Sequence, residues 1–255
     1  MGITTSAILA LSIGWTMVPV FCQAIKPVTS ASASALAGIT ILSESPADYS
    51  LSPLIAVDGV CLSWQRPFGL ADTDLIGLHS AFSKDSWFLA TGLDYLSHPD
   101  YRWQDEYLSL GVAWGALKLG ATQHLVYEKI ADESWFTWDN DFALAFANDD
   151  YGSELRYNNA RGQDASVTLS ASSRLSQNAR LASSYTWHKN QRNSYALATT
   201  YQVVSGFQLC SSWQSEPTRY ALGLELGWNK LNLCYAVQTH PELNLTHSLN
   251  LGSKW

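Results

Sequence analysis

The chain has 255 residues, with 22 Asp and Glu against 15 Lys and Arg; the net charge of -7 leaves no basic stripe for phosphate and excludes nucleic acid as a partner. Charged residues make up only 15% of it, against about 25% in ordinary soluble domains, while 11 Trp and 12 Tyr suit its surface poorly to water. Mean hydropathy is -0.06, which argues against a bundle of apolar transmembrane helices but not against strands, whose alternating side chains cancel in a sliding average.

Residues 7–20 are apolar, broken by Pro19, and lead to small Cys22 and Ala24 at the spacing a signal peptidase reads. Residues 1–24 are therefore expected to be a removed secretory signal; with no Lys or Arg ahead of the apolar run, a retained membrane anchor is the alternative. Removal leaves Cys61, Cys210 and Cys234, an odd number without C-x-x-C spacing, which argues against a disulfide framework or zinc site. The Ala/Ser-rich stretch from Ile25 to Ala56 is too irregular for a strand and too apolar for a free tail. It is expected to plug a lumen, the alternative being a disordered periplasmic leader.

From Val57 to the end, fourteen segments alternate apolar and polar residues, each about ten residues long, as a tilted strand needs to cross a bilayer. The first seven are Val57–Gln65, Asp74–Phe82, Ser86–Tyr95, Glu106–Ala116, Leu117–Tyr127, Trp135–Phe146 and Tyr151–Asn158. The rest are Ala165–Ser173, Ala179–Trp187, Ser194–Val203, Phe207–Trp213, Tyr220–Trp228, Leu231–Gln238 and Leu245–Trp255. The expected fold is all-β: a transmembrane antiparallel up-and-down barrel, residues 57–255, preceded by the plug at 25–56. An even strand count puts both ends on the periplasmic side.

Parity assigns Leu108, Leu110, Val112 and Trp114, and likewise Leu222, Leu224, Leu226 and Trp228, to the lipid face. Trp64, Tyr95, Tyr127, Trp187 and Trp213 close one end of their segments, while Trp87, Trp114, Phe146, Phe207, Trp228 and Trp255 fall at the other, as two membrane girdles would. Connections on the outer side, about 97–105 and 128–134 among them, hold much of the charge. The opposite face carries small residues such as Ser170, Ala182, Ala198, Gly223 and Ala236. Such a wall cannot fill a barrel of fourteen strands, so the lumen must hold water, a ligand or part of the chain.

The ending, Ser248 to Trp255, alternates apolar and polar side chains and stops on an aromatic, the assembly signal that bacterial barrels present to their folding machinery. A soluble β-sandwich is the bland alternative, yet it would bury its aromatics in mid-strand.

No G-x-S-x-G, H-E-x-x-H or phosphate-binding glycine loop is present, so no catalytic, metal or cofactor site is expected. Of six histidines, His98, His188 and His240 fall in outer loops, His79 and His124 in or near strands, and His247 near the outer rim. Inward charges at Asp58, Asp94, Glu154, Arg156, Arg180 and Glu225 are better candidates, to brace the barrel or to tune what passes through it. Glu154 and Arg156 share a face and suit a grip on the plug.

Two stretches resemble a known family. Residues 33–38 (A-S-A-L-A-G) followed by 45–54 (S-P-A-D-Y-S-L-S-P-L), with Pro46, Ser52 and Pro53 in the motif, are similar to the N-terminal region of PorV/PorQ-type, FadL-like outer-membrane proteins. The hairpin around His240-Pro241-Glu242-Leu243 and Leu245-Thr246-His247 resembles that family's last turn. Ser52 stands where the family has Asn, Leu54 replaces a small residue and Asn244 replaces a glycine. The resemblance implies a plugged fourteen-stranded barrel in the outer membrane of a Gram-negative (diderm) bacterium, without catalysis. Its expected role is to assist type IX protein export or surface attachment, with outer-membrane lipid, the barrel assembly machinery and a secreted cargo as partners. The alternative is a conduit for small hydrophobic or amphipathic molecules.

Overall fold

A computed structural model describes residues 30–55, 57–158 and 165–255; the expected signal at 1–24 lies outside them, as do 25–29 and 56 of the expected plug. Fourteen strands follow one another: β1 (Gly59–Arg66), β2 (Leu75–Lys84), β3 (Trp87–His98), β4 (Tyr101–Trp114), β5 (Leu117–Ile130), β6 (Glu133–Ala147) and β7 (Tyr151–Asn158). They continue with β8 (Ser166–Arg174), β9 (Ala179–His188), β10 (Ser194–Val204), β11 (Phe207–Ser215), β12 (Thr218–Trp228), β13 (Leu231–Gln238) and β14 (Thr246–Lys254). Each pairs antiparallel with its sequence neighbours, and β1 pairs β14 from Gly59 opposite Lys254 to Arg66 opposite His247, so the sheet closes. Closure leaves no edge with unsatisfied N–H and C=O groups, which is what lets strands stand in hydrocarbon.

The alternation read from sequence becomes an inside and an outside. In β12, Leu222 and Trp228 are 69% and 76% exposed, whereas Ala221 on the opposite face is buried. Across the barrel the exposed large hydrophobic residues are mostly Leu, Phe, Trp and Tyr, an area no water-facing wall would carry. No described helix is long and apolar enough to cross a membrane; the strands do it.

Strands β3 to β6 run longer than their alternating cores suggest. The connections expected at 97–105 and 128–134 are two-residue turns, at 99–100 and 131–132, with His98 paired to Tyr101 and Ile130 to Glu133. Charges at Arg102, Asp105, Glu106, Glu128 and Lys129 read as loop, but alternation continues through them. Trp103 points inward and packs with Leu75, Leu96 and Val126.

Residues 30–55 lie against the inner faces of these strands. A five-residue helix α1 (Ala31–Ala35), whose Ala33 N–H is capped by Ser30, packs on β12, β13 and β14. The 3-10 turn Pro46–Ser50, capped by Ser45 with Pro46 in its first turn, faces β1, β2 and β3. Close approach explains two glycines: a Cβ at Gly223 would come to 2.5 Å from the Ala35 methyl, and one at Gly120 to 2.8 Å from Pro53. Small wall residues thus make room for chain at these contacts.

The segment also straddles the seam where β1 meets β14. Gln65 of β1 donates to Ser34 at 3.2 Å and to Ser248 of β14 at 3.0 Å. Asn250 of β14 accepts from the Ala31 N–H at 3.0 Å and donates to Ser30 and Ser45. Lys254 lies 3.5 Å from Glu44.

Candidate functional site

The lumen has two unlike walls. On β9 to β14 the inward residues are Ala182, Ala196, Ala198, Cys210, Cys234 and Ala236, all buried against Ala31, Ala35, Leu36 and Ile39. On β2 to β6 they include a large polar set, His79, Asp94, Asp105, Tyr107, His124 and Asp141, each nearly excluded from solvent, beside Ala81, Ala90, Ala143 and Ala145, which pack on Tyr49, Leu54 and Ile55. His79 Nδ1 is 3.1 Å from the Tyr107 hydroxyl, and its Nε2 faces both Ser63 Oγ at 3.0 Å and Asp94 at 3.3 Å. His124 Nδ1 meets both oxygens of Asp105 at 3.0 Å, while its Nε2 is 3.5 Å from Asp141. Asn158 of β7 donates to Asp141 at 2.7 Å.

Ser63, His79 and Asp94 have the residue types of a hydrolytic triad but not its geometry. A triad needs serine on one ring nitrogen and carboxylate on the other, so that the base is oriented while it takes the proton. Here serine and carboxylate share Nε2, and Tyr107 holds Nδ1. The cluster ties the four strands β1 to β4 together across the inner wall and has no relay. Among the described residues no group of three potential ligands is placed to hold a metal ion.

Of the six expected inward charges, Glu154 and Arg156 of β7 touch the N-terminal segment. Glu154 accepts from Thr40 at 2.7 Å and from Ser52, and Arg156 donates to Thr40 at 3.0 Å and to the Gly38 carbonyl at 3.4 Å. Ser52 and Pro53 are buried here, and Pro46 opens the turn at β1 to β3. Asp94 belongs to the His79 cluster. The other three sit near the end of the barrel that carries Gly59 and Lys254, the inner end. Asp58, just ahead of β1, accepts from Ser83 at 2.8 Å; Arg180 donates to the Asp149 carbonyl at 3.2 Å; Glu225 accepts from Asn232 at 2.7 Å and pairs with Lys254 at 3.8 Å. Trp255 is 57% exposed on the same rim.

Asp48 is fully buried in the turn and takes a hydrogen bond from Ser43. Burial pushes its carboxyl up to about 6, against the opposing effect of nearby serine hydroxyls.

Sequence reasoning missed Asp105, Tyr107, His124 and Asp141. The signal was parity. With β4 begun at Glu106, Asp105 fell in a loop and the inward row from Asp105 to Tyr107 was cut in two. At the inner end, a cavity of about 470 Å³ opens between the segment and the wall, with Thr40, Leu42, Leu54, Lys118, Glu154, Arg180 and Trp255 among its lining.

No family model matches the chain, and no curated protein matches it. Solved barrels do. CymD, a monoaromatic hydrocarbon channel, superposes with a TM-score of 0.69 at 10% identity, over 89% of this chain and 97% of its own. A mutant Rh. blastica porin reaches 0.50 at 9% identity, over 78% of this chain and 99% of the porin. At such identities CymD shares with this chain the fold alone, a closed barrel.

Proposed function

We propose that the protein is an outer-membrane conduit for small hydrophobic or amphipathic molecules in a diderm bacterium, with the segment at 25–56 as its plug. The observation that carries this reading is how residues 30–55 are held. Side-chain hydrogen bonds to Glu154 and Asn250 and from Arg156 and Gln65, with packing on small wall residues, fix the segment, while the strand backbones pair with one another. The segment can leave without unzipping the barrel, and its departure vacates the path. The fold shared with a hydrocarbon channel supports transport. The type IX export role rests on the terminal motifs alone, as do a secreted cargo and assembly through Trp255, so it is the weaker reading.

The test is reconstitution in liposomes of the full chain and of a variant lacking 25–53. Uptake of an amphipathic dye that does not cross lipid unaided, raised at least several-fold by the deletion, is the expected result. No uptake by either protein, with both migrating as folded barrels, would sink the conduit.

A further inference from the structure

We infer that the outward face of β3 to β6, at the outer rim, is a binding site for the phosphate of an outer-leaflet lipid, with Arg102 and Lys129 as its anion-binding residues. The inference rests on the outer-membrane placement in the proposed function and not on transport. Register sets the site. Ser97, Arg102, Lys129 and Ser134 are direct cross-strand partners in one row over four neighbouring strands, and Arg102 shares the outward parity of Leu108 and Leu110. At about 4.8 Å between strands the row spans roughly 14 Å, two cations flanked by two hydroxyls. The next row toward the inner end, Tyr95, Gln104, Tyr127 and Phe136, is mostly aromatic, with the Tyr127 and Phe136 rings 4.9 Å apart.

Height and charge decide the ligand. Lys129 lies about twelve residues along β5 from Leu117 at the inner rim, which at about 3.3 Å per residue and a tilt of about 40° is roughly 30 Å of height. The apolar band of such barrels is about 25 Å tall, so the aromatic row falls at its outer edge and the cations just beyond, at the headgroups. Two other outer-rim arginines are matched: Arg66 grips Asp74 through two hydrogen bonds of 2.7 Å, and Arg192 lies 3.8 Å from Glu216. Among the described residues neither the Arg102 nor the Lys129 side chain has a hydrogen bond or an ion pair within 4 Å, although Asp100, Asp132 and Glu133 stand in or beside the adjoining turns. Glu106, on the same face of β4, is held by Gln104 at 2.7 Å. Like charges directly opposite each other on a sheet repel. An anion between them turns the repulsion into attraction, and the planar fork of Arg102 suits a phosphate. A zwitterionic headgroup brings its own cation to the row, and a water-soluble anion makes no use of the aromatic row beside it. What uses both rows is a phosphate on an acylated body, the chemistry of a phosphorylated outer-leaflet glycolipid.

The experiment is native mass spectrometry of the full-length protein in neutral detergent micelles, titrated with diphosphorylated lipid A or with phosphatidylcholine. The double variant Arg102→Gln, Lys129→Gln is expected to bind lipid A at least tenfold more weakly and phosphatidylcholine within twofold of the wild type. The charge-keeping double variant Arg102→Lys, Lys129→Arg should hold lipid A within threefold, and Arg66→Gln, which removes a guanidinium already taken by Asp74, within twofold. Heat-modifiable migration on gels checks that every variant is a closed barrel. Undiminished lipid A binding in the first double variant overturns the site, as does an equal loss of both lipids or a wild type that does not prefer lipid A. Displacement of lipid A by millimolar inorganic phosphate overturns the lipid assignment, because it shows a site for the free anion. Because binding is read in micelles, a protein that binds lipid A but fails to move dye into liposomes refutes the conduit and leaves the site standing; the reverse pattern refutes the site alone.

Discussion

The two walls of the lumen solve the same problem in opposite ways. Strands β9 to β14 keep their inward side chains small and are filled by a separate piece of chain, with Ala35 set against Gly223 and with Leu36 and Ile39 among the alanines and cysteines. Strands β2 to β6 fill part of their half themselves, with His79, Asp94, Asp105, Tyr107, His124 and Asp141 cross-linked to one another, and take Tyr49, Leu54 and Ile55 of the segment only beside that cluster. In the first arrangement what occupies the space is not part of the wall; in the second, removing the contents would mean removing the side chains.

Glu154 is where the two halves meet through the segment, and Glu154→Ala should have the largest effect. It removes two hydrogen bonds to a carboxylate, each of which contributes about 1.5 to 3 kcal/mol, so the segment should dock about 4 kcal/mol less firmly. Protease cleavage within 30–55 of the folded protein measures this. Urea unfolding of the barrel should move much less, which keeps the two halves distinct.

Asp48 makes the docking depend on pH. Its carboxyl is raised from 3.8 to about 6, so the folded state holds the proton more tightly than the unfolded chain does. The stabilisation is complete below about pH 4 and is lost as pH rises through about 6, by at most about 3 kcal/mol. Cleavage within 30–55 should accelerate over that interval in the wild type and stay flat in Asp48→Asn.

Next comes Gly223→Val. Its first added carbon would already meet the Ala35 methyl at 2.5 Å, and overpacking of this kind costs about 1 to 3 kcal/mol. Cys210 and Cys234, buried behind α1, should then react with a maleimide that leaves them untouched in the wild type. The smallest effect belongs to Leu222→Ala on the lipid face, where protease cleavage should shift by less than about 0.5 kcal/mol equivalent; a large shift there would break the distinction between wall and filling.

Much of this was legible in the sequence, for reasons that differ along the chain. The fourteen segments were readable because period-2 alternation is set by strand geometry and survives short windows, as at Leu222 to Trp228. The inward parity of Glu154 and Arg156 followed from it. The length of β4 was not readable, because Arg102, Gln104, Asp105 and Glu106 are polar on both faces near the rim, and alternation loses contrast where both environments are wet. The pairing of His124 with Asp105 and Asp141 joins residues 19 and 17 positions apart through three strands; it depends on register, which parity does not specify. The contacts of Ser52 and Thr40 with Glu154 join positions more than a hundred residues apart. No local pattern encodes them.

The bridge across β1 and β14 has a consequence for how the molecule is completed. Ser34 sits with Gln65 and Ser248 at once, so its full set of partners exists only when those two strands stand side by side. Seating the contents therefore waits on sealing the cylinder, whereas the sealed cylinder does not need its contents. A polypeptide shortened by its last eight residues, Ser248 to Trp255, would forfeit both together, and a half-finished sheet would have nothing to hold.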